Sequence, residues 1–253
     1  DLRLSPGPAI FHTTTGKPLS ITPSISKILW VHQHEPHLID KLGTWLDVSA
    51  YIVQELTGEH VTSTASIDPM GLLDISAQNY SADLLQKCQL SVDQVPRLAR
   101  PGEIVGTLRD DLARSLGFPL RTPIVVTGGD GQVAALGAGI LGLDKAYLNL
   151  GTAVVAGAVS KAPLVDNAFR TMIGACAGTF LLESDLKGGT FTIDWLLERV
   201  LNRATGIASL ESAAKSLPPG SDGLVLLPYL AAVMNPHWDD LASGVFLGLR
   251  ANH

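Results

Sequence analysis

Apolar positions recur at helical spacing through the first part of the chain and in short β-type runs through the second. After Ser26, Ile28, Leu29, Trp30 and Val31 lead towards Pro36, and Leu46, Val48, Tyr51, Ile52, Val53 and Leu56 recur before Gly58. Both stretches predict helices, ended by proline and by glycine. Ser81 to Cys88, with Leu84 and Leu85, and Arg109 to Gly117, with Leu112 and Leu116, predict two shorter amphipathic helices around a loop holding Pro96 and Pro101. Residues 1 to 24 are rich in Pro, Thr, Ser and Gly, keep no period and predict irregular connection. The first 120 residues are therefore expected to be mostly helical. Trp30 and Trp195 fall at helical positions and are expected in the core rather than as stacking platforms.

The pattern then changes. Pro123 to Thr127 is a β-branched run ending in Gly128-Gly129-Asp130, and Gln132 to Leu136 is helix-forming: a strand, a glycine turn and a helix. Ala146 to Leu150 and Ala153 to Val159 flank Gly151-Thr152 and predict a hairpin. Thr179 to Glu183 predicts a strand, and Gly188-Gly189-Thr190 opens a helix from Phe191 to Leu201. Leu224 to Leu227 and Val245 to Leu247 predict two more strands. The fold class is α/β, and a domain boundary is expected near Leu141 to Lys145, dividing the chain into 1–143 and 144–253.

Composition narrows the setting. With 253 residues, 46% apolar and 17% charged, the chain can bury a sizeable core and does not have the composition of a disordered segment. The net charge is −6 and Lys and Arg are scattered, so no footprint for a phosphate backbone exists and a nucleic-acid partner is not expected. Cys88 and Cys176 stand far apart, which indicates neither a disulfide framework nor a thiolate metal site and fits a reducing cytoplasm. Residues 1 to 8 lack the cationic-then-apolar order of a secretory signal. The most apolar window, Ile124 to Leu143, carries Asp130 and six glycines, so buried structure is expected there rather than a membrane span.

Three glycine turns, at Gly128-Gly129, Gly151-Thr152 and Gly188-Gly189, would each expose backbone N–H groups, two of them where a helix begins; such donors bind anions. Each alone is equally a turn needing glycine's backbone freedom, and none matches a Walker or dinucleotide fingerprint. Asp130 stands at the exit of a strand, where open α/β sheets collect ligands, and can serve either as a general base towards a hydroxyl or as a helix N-cap bonded near Gln132. His32, His34 and His37 surround Pro36, which breaks the helix that would aim two imidazoles at one metal; no metal site is expected. The run Thr62-Ser63-Thr64-Ala65-Ser66 with Asp68 suits either contact with a polyol or a capped turn.

In order, these stretches resemble the FGGY family of carbohydrate kinases, in its pentulose, xylulokinase-like branch. The likeness rests on Ser24-Ile25-Ser26-Lys27-Ile28-Leu29-Trp30 with Glu35-Pro36; on Leu56-Thr57-Gly58 leading to Leu72-Leu73-Asp74; and on Val125 through Gly137 around Gly128-Gly129-Asp130. It continues in Leu148-Asn149-Leu150-Gly151-Thr152, in Gly188-Gly189 before Trp195-Leu196, and in Leu227-Pro228-Tyr229-Leu230 with Gly244 to Leu249. Gly131 stands where xylulokinases usually carry Asn, and Val233-Met234-Asn235 replaces a common Gly-Glu-Arg.

The resemblance implies a partial actin-like ATPase (ribonuclease H-like) fold in two lobes. Residues 1–143 would form the later part of the sugar-binding domain, and residues 144–253 the early part of the nucleotide-binding domain. It implies ATP-dependent phosphorylation of a sugar hydroxyl, with Asp130 as base, Asp130 and Gln132 at the sugar, Gly151, Thr152, Gly188 and Gly189 at the ATP phosphates, and ATP and Mg2+ as cofactors. The expected partner is a small-molecule sugar, neither nucleic acid nor membrane, and a homodimer is admitted. Relatives of about twice this length imply an internal portion that is inactive alone. The competing expectation is a non-catalytic sugar- or nucleotide-binding module retaining the fold.

Overall fold

Pro8 at the first helical position and Gly16 in left-handed backbone just beyond the last bound a helix, Pro8–Thr15, where the sequence predicts irregular chain. The computed structural model describes residues 7–201 and 206–251. Threonine-rich composition hides this helix, but Phe11 is fully buried and the Thr15 hydroxyl bonds back to Phe11 O, so tertiary burial outweighs weak propensity. Ile25–His34 follows and stops at Glu35, ahead of Pro36; a short turn, Pro36–Ile39, continues it. Asp47 caps Val48–Thr57 by accepting from Ala50 N, and Gly58 ends it in left-handed backbone. Ser81 caps Ala82–Lys87, and Gly117 ends Asp110–Leu116.

The first 120 residues are less helical than expected. Val61–Ser63 pairs in parallel with Arg97–Ala99, Leu73–Asp74 pairs with Asn79–Tyr80, and Ile104–Thr107 pairs antiparallel with Pro123–Val125. These strands are two to four residues long, too short to display an alternation, so periodicity misses them. Trp30 also departs from expectation: it is 53% exposed and stacks on His34 with ring centres 4.6 Å apart, because the helix turns Ile25 and Ile28 to the core instead. Trp195 is half-buried.

The helix Asp130–Gly137 precedes a four-stranded sheet whose order is Ala146–Leu150, Val154–Ser160, Phe180–Leu186, Arg170–Ile173. Arg170–Ile173 runs antiparallel to its neighbour, with Glu183 opposite Arg170. The helix Thr190–Trp195 passes into a π-helical turn, Leu196–Val200. A helix Ile207–Lys215 and the antiparallel pair Val225–Leu227 and Val245–Leu247 complete the described elements.

Compactness divides the chain at more than one point. One unit holds the residues up to Tyr147 and Gly157–Glu183; the other holds Leu148–Ala156 and the residues from Ser184 onward. Three apolar clusters fill the first: a large one around Phe11, Ile28, Ile67, Leu72, Leu84 and Phe180, and smaller ones around Val61 with Val126 and around Ala135 with Leu181. In the second unit only Val233 and Met234 are buried hydrophobics among the described residues. Each large side chain taken fully from water stabilises by roughly 1.5–3 kcal/mol, so the core that shapes the Asp130 turn lies in the first unit. Among the described residues no helix is long and apolar enough to cross a membrane.

Candidate functional site

Asp130 sits where strand gives way to helix. The strand ends at Val125, Val126 is buried, and Thr127-Gly128-Gly129 turns the chain so that the helix starts at residue 130. The N-cap position is taken by Gly129, with no side-chain cap. Asp130 is the first helical residue, exposed, with Oδ1 accepting from Gly131 N at 2.9 Å. The N-cap role that the residues alone allowed is therefore not the one it takes.

The carboxylate stands on the wall of a cavity of about 890 Å³ within the first unit. Its other walls carry Lys27, Trp45, Asp47, Ser66 and Thr127 among the polar groups, and Ile52, Leu56 and Met70 among the apolar ones. Asp47 Oδ1 accepts from Ala50 N and Oδ2 from the Thr62 hydroxyl; burial pushes its carboxyl above the ordinary value, and these hydrogen bonds pull the other way. The Trp45 indole N–H is buried with no partner among the described residues. Sequence reasoning missed Trp45 and Asp47 as wall residues. Asp47 left a trace as a cap signal before an apolar-periodic run, whereas Trp45 left none, since an isolated aromatic in a loop has no period.

Side-chain hydrogen bonds tie the Asp130 turn to distant elements. Gln132 is 3% exposed; its Nε2 donates to Ala65 O at 2.9 Å and Ile173 O at 3.3 Å, so its amide hydrogens serve main chain, and it is not a wall residue of the cavity. A Cβ at Gly129 would lie 2.8 Å from Gln132 Oε1, so a side chain there would displace that amide. The Ser63 hydroxyl donates to Thr127 O while its oxygen accepts from Ser66 N, so the Ser/Thr run forms a capped turn, with Ser66 also reaching the cavity wall.

Beneath lies a buried ion pair, Lys17 Nζ to Asp68 Oδ1 at 2.8 Å, with the residues 4% and 1% exposed. Lys17 also donates to Thr15 O and Thr171 O, and Asp68 Oδ2 accepts from Ile173 N. Burial pulls the ammonium below and pushes the carboxyl above their ordinary values, and the mutual contact opposes both shifts.

In the second unit, Gly151-Thr152 and Gly188-Gly189 come together. Gly151 O accepts from Thr190 N at 2.9 Å, Thr152 O from Phe191 N at 3.4 Å, and a Cβ at Gly189 would fall 2.4 Å from Gly151 O. A Cβ at Gly188 would meet Pro228 O at 2.9 Å. The Gly151 amide is occupied by Ala153 O, and the Thr192 amide by Gly189 O. The first amides of this helix are thus already paired. Among the described residues no hydrogen bond occupies the amides of Thr152, Gly188 and Gly189.

The histidines do not converge. His34 bonds to Trp30 O, His37 lies 3.6 Å from Glu35, and among the described residues no group of three His, Cys, Asp or Glu is placed to hold a metal ion.

Residues 7–137 match the model of the FGGY family of carbohydrate kinases, N-terminal domain. The chain is 31% identical over 229 residues to the xylulose kinase of Escherichia coli strain K12, covering 90% of this chain and 47% of that protein. Among solved structures, a ligand-bound xylulose kinase from Lactobacillus acidophilus superposes with TM-score 0.90 at 25% identity, over 97% of this chain and 50% of the other. The xylulose kinase from Rhodospirillum rubrum gives 0.89 at 26%, over 100% and 51%. The chain thus spans about half the length of the relatives it matches, and its α/β fold is the actin-like ATPase (ribonuclease H-like) type expected from the sequence. It belongs to the FGGY family of carbohydrate kinases.

Proposed function

We propose that the protein carrying this chain transfers the γ-phosphoryl group of ATP to a sugar hydroxyl, with a pentulose such as xylulose as substrate and Asp130 as general base. The observation that carries this reading is an exposed carboxylate on a cavity wall at a strand's exit, one oxygen held by Gly131 N and the other without a described partner. As the sugar oxygen bonds to the γ-phosphorus, its proton passes to Asp130, the bond from phosphorus to the bridging oxygen breaks and ADP departs. Trp45, Lys27 and Asp47 also line this cavity, Lys27 and Asp47 with polar groups that would meet sugar hydroxyls. The pentulose assignment is supported by the xylulose kinases among the relatives.

For the phosphates, the unoccupied amides of Thr152, Gly188 and Gly189 are the donors of choice; the Gly151 amide, being paired, shapes the turn. Mg2+ bound with the ATP phosphates would neutralise the developing charge. The unbridged Cys88 and Cys176 support a reducing compartment, the cytoplasm.

The test is ADP release by the full-length protein across a pentulose panel, with Asp130→Asn as the variant. Turnover is expected to fall by about 10² or more with KM for ATP nearly unchanged. A variant retaining normal turnover removes Asp130 from the reaction.

A further inference from the structure

Gly131, the residue after Asp130, faces a buried carboxylate. A Cβ placed there would lie 2.9 Å from Glu183 Oε2, and Glu183 is 2% exposed. Arg170 Nε donates to Glu183 Oε1 at 2.7 Å, with Nη2 on the same oxygen, and the Tyr147 hydroxyl donates to Oε2 at 3.2 Å. A second glycine makes room for this row: a Cβ at Gly157 would fall 2.2 Å from the Tyr147 ring. Burial and then the Glu183 charge push the Tyr147 hydroxyl above its ordinary value, and the Asp130 charge adds in the same sense. The row therefore ends against the one residue whose N–H holds Asp130 Oδ1.

We propose that Glu183, anchored by Arg170 and Tyr147, is a positioning residue for Asp130. It fills the space that a side chain at position 131 would take, and so fixes the Gly131 amide that orients the carboxylate. The proposal rests on Asp130 being the base. Small misplacements of a reacting group cost rate steeply, whereas substrate affinity depends on contacts elsewhere, so the signature is a loss in kcat at nearly constant KM.

The experiment compares Asp130→Asn, Glu183→Ala, Gly131→Ala, their double variant and Tyr147→Phe in the full-length protein, by sugar-dependent ADP release. Glu183→Ala and Gly131→Ala are each expected to lower kcat about tenfold with KM for sugar and ATP within about twofold, one by vacating the space and the other by displacing Glu183. The double variant is expected to recover to within about threefold of the parent, because the new methyl group occupies the vacated space. Tyr147→Phe removes only a hydroxyl, remains informative if the others fail to fold, and is expected to lower kcat about threefold. Asp130→Asn inactive with Glu183→Ala or Tyr147→Phe at parental kcat overturns this proposal alone, as do additive losses in the double variant. A parent without sugar-dependent ADP release, or an Asp130→Asn protein at full turnover, overturns the kinase or base reading and this one with it.

Discussion

At Gly128-Gly129 the turn is held through side chains: Ser63 reaches Thr127 O from another element, and Gln132, on the helix that follows, ties it to Ala65 O and Ile173 O. At Gly151 and Gly189 it is held mainly by main chain, carbonyl oxygens of one turn receiving the first amides of the next helix, with one side chain, the Thr192 hydroxyl, donating to Gly188 O. Gly128-Gly129 and Gly188-Gly189 both read as glycine followed by helix in sequence. The first arrangement leaves the helix's leading carboxylate exposed. The second commits the amides of Thr190 and Phe191 and leaves donors only upstream of the helix. The side-chain-held turn should therefore fail through loss of a partner, and the main-chain-held turn through intrusion of an atom.

The deepest partner of the first turn is the Lys17–Asp68 pair, which fixes Thr171 and Ile173 on the strand that also receives Gln132. Lys17→Met leaves Asp68 charged and buried, and a loss of about 3–5 kcal/mol is expected in urea unfolding. Burial already raises the Asp68 carboxyl, and removing Lys17 takes away the largest influence lowering it. A folded-state value above the unfolded one means the folded protein holds the proton more tightly. The variant's deficit relative to the parent is thus expected to shrink as pH falls and to widen as pH rises through the folded-state value. The double variant Lys17→Met, Asp68→Leu should recover much of the loss. A deficit independent of pH would show that Asp68 is not the group left unpaired.

One step nearer the turn, Gln132→Leu keeps most of the volume and removes both donors. Two buried carbonyls lose their partner, each costing about 1–3 kcal/mol. The denaturant midpoint should fall with an unchanged slope. An unshifted midpoint would mean that Ser63 alone suffices to hold the turn.

Much of this contrast was beyond the sequence. The strand, glycine turn and helix around Asp130 were legible because β-branched residues, two glycines and helix formers follow one another without interruption, and the order of such segments carried the family resemblance. What escaped notice was everything that depends on residues far apart. Lys17 lies 154 positions from Thr171 and Gln132 41 from Ile173, so no local pattern announces either contact. Glu183 reads as the end of a strand, and nothing nearby hints that it fills the space beside Gly131. The Pro8–Thr15 helix was obscured for a different reason: its threonines favour extended chain, and burial of Phe11 overrides them.

The main-chain-held turn gives the smallest expected effect but the cleaner discrimination. Gly189→Ala brings a methyl to 2.4 Å from Gly151 O, 2.8 Å from Thr152 O and 2.9 Å from Ala153 C, all backbone atoms with no rotamer to change. The helix start must draw back from the 151–153 turn, lengthening the bonds from Thr190 N and Phe191 N, at about 1–3 kcal/mol. Gly137, in the last turn of the Asp130 helix, is the internal control: nothing lies within 4 Å of an added Cβ, so Gly137→Ala should stabilise by about 0.4–1 kcal/mol. Hydrogen exchange locates the damage. In Gly189→Ala, protection should fall first at the amides of Thr190 and Phe191, while that of the Val133 amide, bonded to Gly129 O, stays at the parental level. Equal loss at both helix starts would mean that the two turns do not fail independently, and the contrast between side-chain and main-chain anchoring would be lost with it.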